Sequence, residues 1–311
     1  MMIVTLTMNP TIDMSTGVNH VVAERKLRCK PLFREPGGGG VNVSRAIRRL
    51  GGESITLYPA GGAAGHMLRD LLDKEGLEHR PIPIEGLTRE NLIVFEESSR
   101  RQFRFGMPGP GLNESEWKRC LEELTAISPK PDYLIASGSL PPGVPDDFYA
   151  RVARLGAKLG ARVIVDTSGE PLRLAAHASV YLLKPNMREL RELTGEELRD
   201  ERQQERVAKE IVDSGHAEVV VVSLGAAGSL MVSKDGCERL RAPIVPIESR
   251  VGAGDSMVAG IVLSLARDKP IREAVEFGVA AGAAAVMTPG TELCRREDVE
   301  RLYELITLSN V

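Results

Sequence analysis

Val219-Val220-Val221-Val222-Ser223-Leu224-Gly225 carries four β-branched apolar residues in a row before a serine and a glycine break the run. A strand with no polar alternation must be covered on both faces. An amphipathic helical pattern at 205–214 leads into it. A doubly covered strand that follows a helix is the mark of βαβ units. Further short strand patterns occur at 3–7, 54–59, 133–136, 162–165 and 181–183, with helical patterns at 41–50, 67–75, 114–126 and 147–159. This rhythm predicts an α/β fold with a mainly parallel central sheet between two helical layers. The last third departs from it, because 255–266, 271–287 and 295–308 read as successive helices without strands between them.

Two segments also leave the rhythm. Residues 12–36 scatter Val18, Val21, Val22, Leu27 and Leu32 among polar residues with no helical period. Within 88–108, the runs 91–96 and 102–107 flank Glu97-Ser98-Ser99-Arg100-Arg101, which reads as a β-hairpin. Together they predict a small extra sheet, a lid, on a single domain spanning 1–311.

The bulk composition excludes several function classes. At 311 residues, 42% apolar and 27% charged, the chain can bury one large α/β core. Forty basic against 43 acidic residues leave a net charge of −3, too balanced to draw nucleic acid or a membrane surface. Aromatics at 4% also argue against base stacking on single strands. No run approaches the roughly 18 apolar residues of a membrane helix. The opening residues have no basic segment followed by a long apolar one, so no signal peptide is expected. Cys29, Cys120, Cys237 and Cys294 lack CxxC spacing, which argues against a zinc or disulfide framework. Reduced thiols and a cytoplasmic location are expected.

Four motifs bear on chemistry. Ser249-Arg250-Val251-Gly252-Ala253-Gly254-Asp255-Ser256 is a glycine-rich turn running into an apolar helix. Its backbone N–H groups would face outward at the positive end of the helix dipole and suit phosphate. Asp255 there either caps the helix or accepts a proton from an attacking hydroxyl. Glu35-Pro36-Gly37-Gly38-Gly39-Gly40-Val41-Asn42 offers backbone donors before another helix, or is a flexible turn; no Walker A loop is present. Lys184-Pro185-Asn186-Met187-Arg188-Glu189 puts an amide and a carboxylate three apart after a strand. They could support a hydrated Mg²⁺ or form a capping box. Ser223-Leu224-Gly225-Ala226-Ala227-Gly228 is a small-residue loop with room for a nucleotide, or a tight turn. A fifth run, Ala60-Gly61-Gly62-Ala63-Ala64-Gly65, imitates a dinucleotide fingerprint without its first glycine and makes a poor Rossmann site.

The joint, ordered occurrence of 37–42, 186–189 and 252–255 resembles the ribokinase/phosphofructokinase-B family of sugar kinases, over essentially the whole chain. The resemblance implies a ribokinase-like three-layer α/β/α fold and ATP-dependent phosphorylation of a sugar, with Mg²⁺ and a possible K⁺. Asp255 would be the general base, and the amides of Gly252, Ala253 and Gly254 the anion hole. Further stretches, such as Lys26-Leu27-Arg28-Cys29, Thr88-Arg89-Glu90-Asn91, Phe103-Arg104-Phe105 and Ser137-Gly138-Ser139, are similar to the branch converting fructose 6-phosphate to fructose 1,6-bisphosphate. That likeness implies a sugar site of Asp13, Gly38, Gly39 and Asn42, with phosphate contacts from Lys26, Arg89, Arg104 and Ser139. Guanidinium forks suit phosphate. It assigns the nucleotide to Lys184, Asn186, Glu189, Ser223, Gly225 and Gly228, with Glu189 reaching Mg²⁺ through water. The K⁺ would sit among Ser249, Val251, Ala285, Thr288 and Gly290, where Glu292 departs from the expected arginine. Relatives acting on fructose 1-phosphate or tagatose 6-phosphate usually carry GGKG, so Gly39 favours the 6-phosphate reading. A non-catalytic sensor of nucleotide or sugar phosphate is the alternative of another class. Apolar lid faces left in water suggest a homodimer through the lid.

Overall fold

The computed structural model describes residues 1–309. Its larger sheet contains β1 (Ile3–Leu6), β4 (Ile55–Ala60), β5 (Glu78–Pro83), β8 (Tyr133–Ser137), β9 (Arg162–Asp166), β10 (Val180–Leu183), β11 (Ala217–Ser223), β12 (Ser229–Ser233) and β13 (Gly236–Leu240). Their order is β13-β12-β11-β10-β9-β8-β1-β4-β5, parallel from β5 to β11, with β12 and β13 added antiparallel at one edge. The chain first builds from β1 towards β5 and then restarts at β8 on the other side of β1. That reversal opens a crevice at the carboxyl ends of β1 and β8, where α/β folds place ligands.

Side chains alternate across the sheet into two apolar layers, as the period of two requires. Leu6, Leu134, Val165, Val220 and Val222 face one core with Trp117, Phe148, Leu172 and Val207. These come from α3 (Glu114–Ala126), α4 (Phe148–Leu159), α5 (Gly169–Ala176) and α7 (Glu201–Asp213). Ile3, Ile135, Ile164, Val219 and Val221 face the other core with Val43, Ile47, Val258, Val279 and Leu302. Their helices are α1 (Gly39–Arg49), α8 (Ala253–Ala266), α9 (Ile271–Val286) and α10 (Arg296–Ser309). Helix α8 is buried along almost its whole length, which explains why its sequence is apolar all round. The expected three layers with a mainly parallel sheet are therefore present.

A second sheet of four strands stands apart in order β3-β2-β6-β7. It consists of β2 (Thr11–Val18), β3 (Phe33–Gly37), β6 (Arg89–Glu96) and β7 (Arg101–Phe105). The sequence reading missed β5, β12, β13 and α5. Strand β5 hides behind Pro81 and Pro83, tolerable because β5 is an edge. Helix α2 (Gly62–Lys74) joins the two sheets by packing Leu68 and Leu72 with Tyr58 and with Ile12 of β2.

Candidate active site

The crevice holds a cavity of about 210 Å³ to which both sheets contribute. Its lining includes Thr11, Asp13, Gly38, Asn42, Arg89, Asn91, Arg104, Val251, Gly252 and Asp255. Most of the residues assigned to the sugar thus converge, and Asp255, more than 200 positions from Asp13 in sequence, joins them. Asp13 is 8% exposed, and its Oδ1 accepts from Asn91 Nδ2 at 3.0 Å. Burial raises its pKa, with the Asn91 hydrogen bond and Arg89 opposing the rise. Arg89 donates to the carbonyls of Met107 (3.1 Å) and Asn9 (2.9 Å), while its buried Nε has no partner among the described residues. A buried donor left free in this way marks capacity for a ligand. Ser139 is reached through Asn9, whose Nδ2 donates to Ser139 Oγ at 3.1 Å. Lys26 lies exposed in the irregular segment between β2 and β3, outside this cavity.

Gly39 is outside the lining but explains its shape. A Cβ there would collide with Ser137 Oγ and come within 2.7 Å of the Gly138 nitrogen. The glycine lets α1 press against the end of β8, which seats Gly38 and Asn42 in the crevice. Asn42 Nδ2 donates to Asp255 Oδ2 at 2.9 Å. This bond ties together the two helices that begin in glycine turns, α1 and α8.

Asp255 sits in the first turn of α8, whose N-cap Gly252 has φ 73°. A side chain at 252 would be strained there and would strike Leu293. The first-turn amides at 253–255 have no carbonyl of their own helix to bond, so they stay available for an anion. Burial pushes the Asp255 carboxyl up to about 6; Asp166 adds to the rise, and the Asn42 bond and Lys184 oppose it. That value suits proton exchange near neutral pH better than an ordinary capping aspartate does.

On the other side of Asp255 are the ends of β9, β10 and β11. Lys184 is 4% exposed and pairs with Asp166 at 3.1 Å. Burial works against its charge, but the Asp166 carboxylate more than offsets it and the pKa rises. Asn186 and Glu189 form a complete capping box at the start of α6 (Met187–Thr194), with bonds of 2.9 and 2.8 Å. The capping box is thus present, and it also fixes where the carboxylate points. Burial raises the Glu189 pKa, opposed by the Asn186 amide. Ser223 is clamped beside it, its N–H donating to the Pro185 carbonyl at 2.9 Å. Gly225 opens a short 3₁₀ turn and Gly228, at φ 95°, closes it.

The residues expected around K⁺ also meet. Ser249 Oγ donates to the Gly290 carbonyl at 2.7 Å and accepts from Val251 N–H at 3.2 Å. Thr288 Oγ1 contacts the carbonyls of Ala285 at 2.8 Å and Glu292 at 2.5 Å. The Glu292 carboxylate turns away from them to Arg295 at 2.9 Å. No group of three or more His, Cys, Asp or Glu side chains able to hold a metal occurs among the described residues.

Sequence reasoning missed Asp166, Asn91 and Arg45. Asp166 had a readable signal, an acidic residue at the carboxyl end of a predicted strand. Asn91 was inside the predicted hairpin but carried no signal of its own. Arg45 carried no signal either, since a helix arginine is ordinarily solvated.

Residues 2–298 match the pfkB family of carbohydrate kinases. The chain belongs to this family. Among its pfkB-family relatives, the ATP-dependent 6-phosphofructokinase isozyme 2 of Mycobacterium tuberculosis is 46% identical, over 97% of this chain and 89% of that protein. Phosphofructokinase-2 from Escherichia coli, solved in complex with substrates and products, superposes with a TM-score of 0.94 at 43% identity, covering 99% of this chain and 100% of that one. The same enzyme in complex with potassium gives a TM-score of 0.94 at 43% identity, over 98% of this chain and 99% of the other. The family resemblance drawn from 37–42, 186–189 and 252–255 is borne out, as is the ribokinase-like fold it implied.

Proposed function

We propose that this pfkB-family kinase is an ATP-dependent 6-phosphofructokinase, transferring the γ-phosphoryl group of ATP to the 1-hydroxyl of fructose 6-phosphate. The observation that carries this reading is Asp255. One of its carboxylate oxygens is held by Asn42 and the other has no hydrogen bond among the described residues, at a helix N-terminus facing a cavity that also contains Arg89 and Arg104. The hydroxyl oxygen attacks the γ-phosphorus, the bond to the ADP oxygen breaks, and the hydroxyl proton passes to Asp255. The amides of Gly252, Ala253 and Gly254 stabilise the charge that develops on the phosphoryl oxygens. Asp13 and Asn42 orient the sugar hydroxyls. Arg89, with its unpaired Nε, and Arg104 hold the 6-phosphate.

Lys184, Asn186, Glu189, Ser223, Gly225 and Gly228 receive the nucleotide. The donor set fits Mg²⁺ carried by ATP. Carboxylates that form no three-ligand cage among the described residues suit a hydrated ion that would arrive with the nucleotide. Glu189 would hold it through water, and the ion would supply charge neutralisation to the nucleotide phosphates. The neutral oxygens around Ser249, Val251, Ala285, Thr288 and Gly290 fit a monovalent K⁺, and the turned-away Glu292 carboxylate does not obstruct it. The small sheet acts as a lid whose closure excludes water and suppresses ATP hydrolysis. Phe33 and Phe105, 67% and 47% exposed on this sheet, support pairing of two lids into a homodimer. The absence among the described residues of any helix long and apolar enough to cross a membrane is compatible with a cytoplasmic enzyme.

Coupled assays with fructose 6-phosphate, fructose 1-phosphate, tagatose 6-phosphate and fructose test the reading. The highest kcat/KM is expected with fructose 6-phosphate. Preference for another sugar would replace the substrate assignment, and no transfer to any sugar would leave a binding protein on a kinase fold.

A further inference from the structure

Among the described residues, Arg45 is the bulkiest side chain that is essentially sealed from solvent, at 1% exposure. A buried guanidinium costs several kcal/mol unless its hydrogen bonds are satisfied. Its Nε lies 3.0 and 2.9 Å from the two Glu75 oxygens, and Nη2 lies 2.7 Å from Glu75 Oε1 and 3.2 Å from Glu35 Oε1. Nη1 donates to the Pro36 carbonyl at 2.8 Å and to Asn42 Oδ1 at 3.4 Å. The other Glu35 oxygen accepts from the Thr291 hydroxyl. Burial works against the charge, but the hydrogen bonds and charges of Glu75 and Glu35 more than offset it, so Arg45 stays protonated.

Packing alone does not require this arrangement. Glu35 and Glu75 keep 26% and 28% of their side-chain surface in solvent, so neither acid depends on Arg45 to escape burial. An apolar side chain of similar volume would fill the space, but it would leave the Pro36 carbonyl and the Asn42 amide without a donor. What the guanidinium supplies to the site itself is a donor at Asn42. Arginine has no acceptor, so only Oδ1 of that amide can face it. The Asn42 Nδ2 is thereby turned to Asp255 Oδ2, 2.9 Å away. With the amide reversed, Oδ1 would face a carboxylate oxygen and repel it.

We propose that Arg45 is a positioning residue for phosphoryl transfer: it fixes the Asn42 amide so that Asn42 engages one Asp255 oxygen and leaves the other for the sugar hydroxyl. The same guanidinium grips the Pro36 carbonyl at the end of the small sheet and, through Glu35, the Thr291 loop. The base is thus aligned to the glycine turn that shapes the sugar site. The inference rests on Asp255 being the base.

A double-mutant cycle in the intact enzyme tests it. Arg45→Met is expected to lower kcat at saturation by on the order of tenfold or more, the scale of a small misplacement of a reacting group. It should leave KM for ATP unchanged. The acid limb of kcat should move to higher pH, because the Asn42 bond that favours the Asp255 carboxylate is loosened while Asp166, Asp13 and Lys184 stay in place. In an Asn42→Ala background, Arg45→Met should cost less than about twofold, since the effect is transmitted through that amide. The same penalty in both backgrounds, or an unmoved acid limb, would overturn the proposal. If Arg45→Met does not fold, Glu75→Gln, which loosens the fork from its other end, replaces it in the same cycle. A smaller kcat loss that vanishes without Asn42 supports the proposal; no loss, or one that persists, overturns it. A wild-type enzyme that phosphorylates no sugar would instead defeat the reading of Asp255 itself.

Discussion

Helix α1 begins from the turn Gly37-Gly38-Gly39-Gly40 and helix α2 from the turn Gly61-Gly62-Ala63-Ala64-Gly65, each directly after a strand. At α2 the loop is closed on itself. The Gly61 N–H donates to Thr88 Oγ1 at 3.1 Å, and the Gly61 carbonyl accepts from Thr88 N at 3.0 Å. Leu87 lies over Gly62, and Gly65 packs against Ala60 and Thr88. At α1 the glycines are pressed against Asp13, Thr7 and Ser137, and the helix they begin delivers Asn42 to Asp255. Glycine spacing alone therefore does not make a site. The loop becomes one where polar groups of other elements meet it and a free reactive atom remains.

The strongest test of that contrast lies at the residue α1 reaches. Asp255→Asn should keep ATP binding and lose kcat by about 10²–10⁴-fold, the usual cost of removing a general base. Its stability should not fall. A carboxyl whose pKa is raised to about 6 on folding holds its proton more tightly in the native state. Its contribution to stability therefore declines as pH rises from its ordinary value through 6, and the amide removes that penalty. Near-normal kcat in this variant would return Asp255 to a capping role and erase the distinction between the two glycine turns.

Arg89→Ala comes next. Charge-assisted hydrogen bonds contribute about 1.5–3 kcal/mol, so KM for the phosphosugar should rise roughly 10- to 100-fold with KM for ATP unmoved. Equal changes in both would place Arg89 outside the phosphate site. A pH profile gives a milder effect of the same origin. Since the base must be ionised, kcat should fall about tenfold per unit below its apparent pKa, which is expected at or above 6. It must be read at saturation, because the phosphate of the sugar itself titrates near 6. An acid limb near 4 would mean that burial does not tune this carboxyl.

Much of this was legible in the chain. Val219-Val220-Val221-Val222 had to be covered on both faces, and the strand spans Ala217–Ser223 with helices above and below. Asn113 and Glu116 announce α3, whose capping box is complete. The motif residues of the site were readable through the joint, ordered occurrence of 37–42, 186–189 and 252–255, since each alone had a plain structural use as a turn or cap. Arg45 was not, since burial of a helix arginine is decided by Glu35 and Glu75, which meet it only through the tertiary fold. Asn91 was hidden for a related reason. Its value comes from the parallel register that sets it opposite Asp13, and no local pattern encodes a parallel pairing between 13 and 91.

The smallest expected effect separates the two glycine turns most directly. Gly39 has ordinary backbone angles, so Gly39→Ala carries no left-handed strain. Its new methyl would nevertheless meet Ser137 Oγ and the Gly138 backbone, which cannot swing aside. Helix α1 must then retreat from β8 and take Asn42 with it, so stability and kcat should fall together. Gly62→Ala has the reverse profile. At φ 67° it incurs about 1–2 kcal/mol of left-handed strain. Its close neighbour among the described residues is the tip of Leu87, which is 70% exposed and free to rotate away. Its melting temperature should drop by a few degrees, while kcat and both KM values stay at wild-type levels. Loss of activity in Gly62→Ala beyond its loss of folded protein would mean that the second glycine turn communicates with the site after all. The contrast would then be one of degree, because α2 packs on the small sheet through Ile12 and could carry a displacement to Asp13 on the same strand.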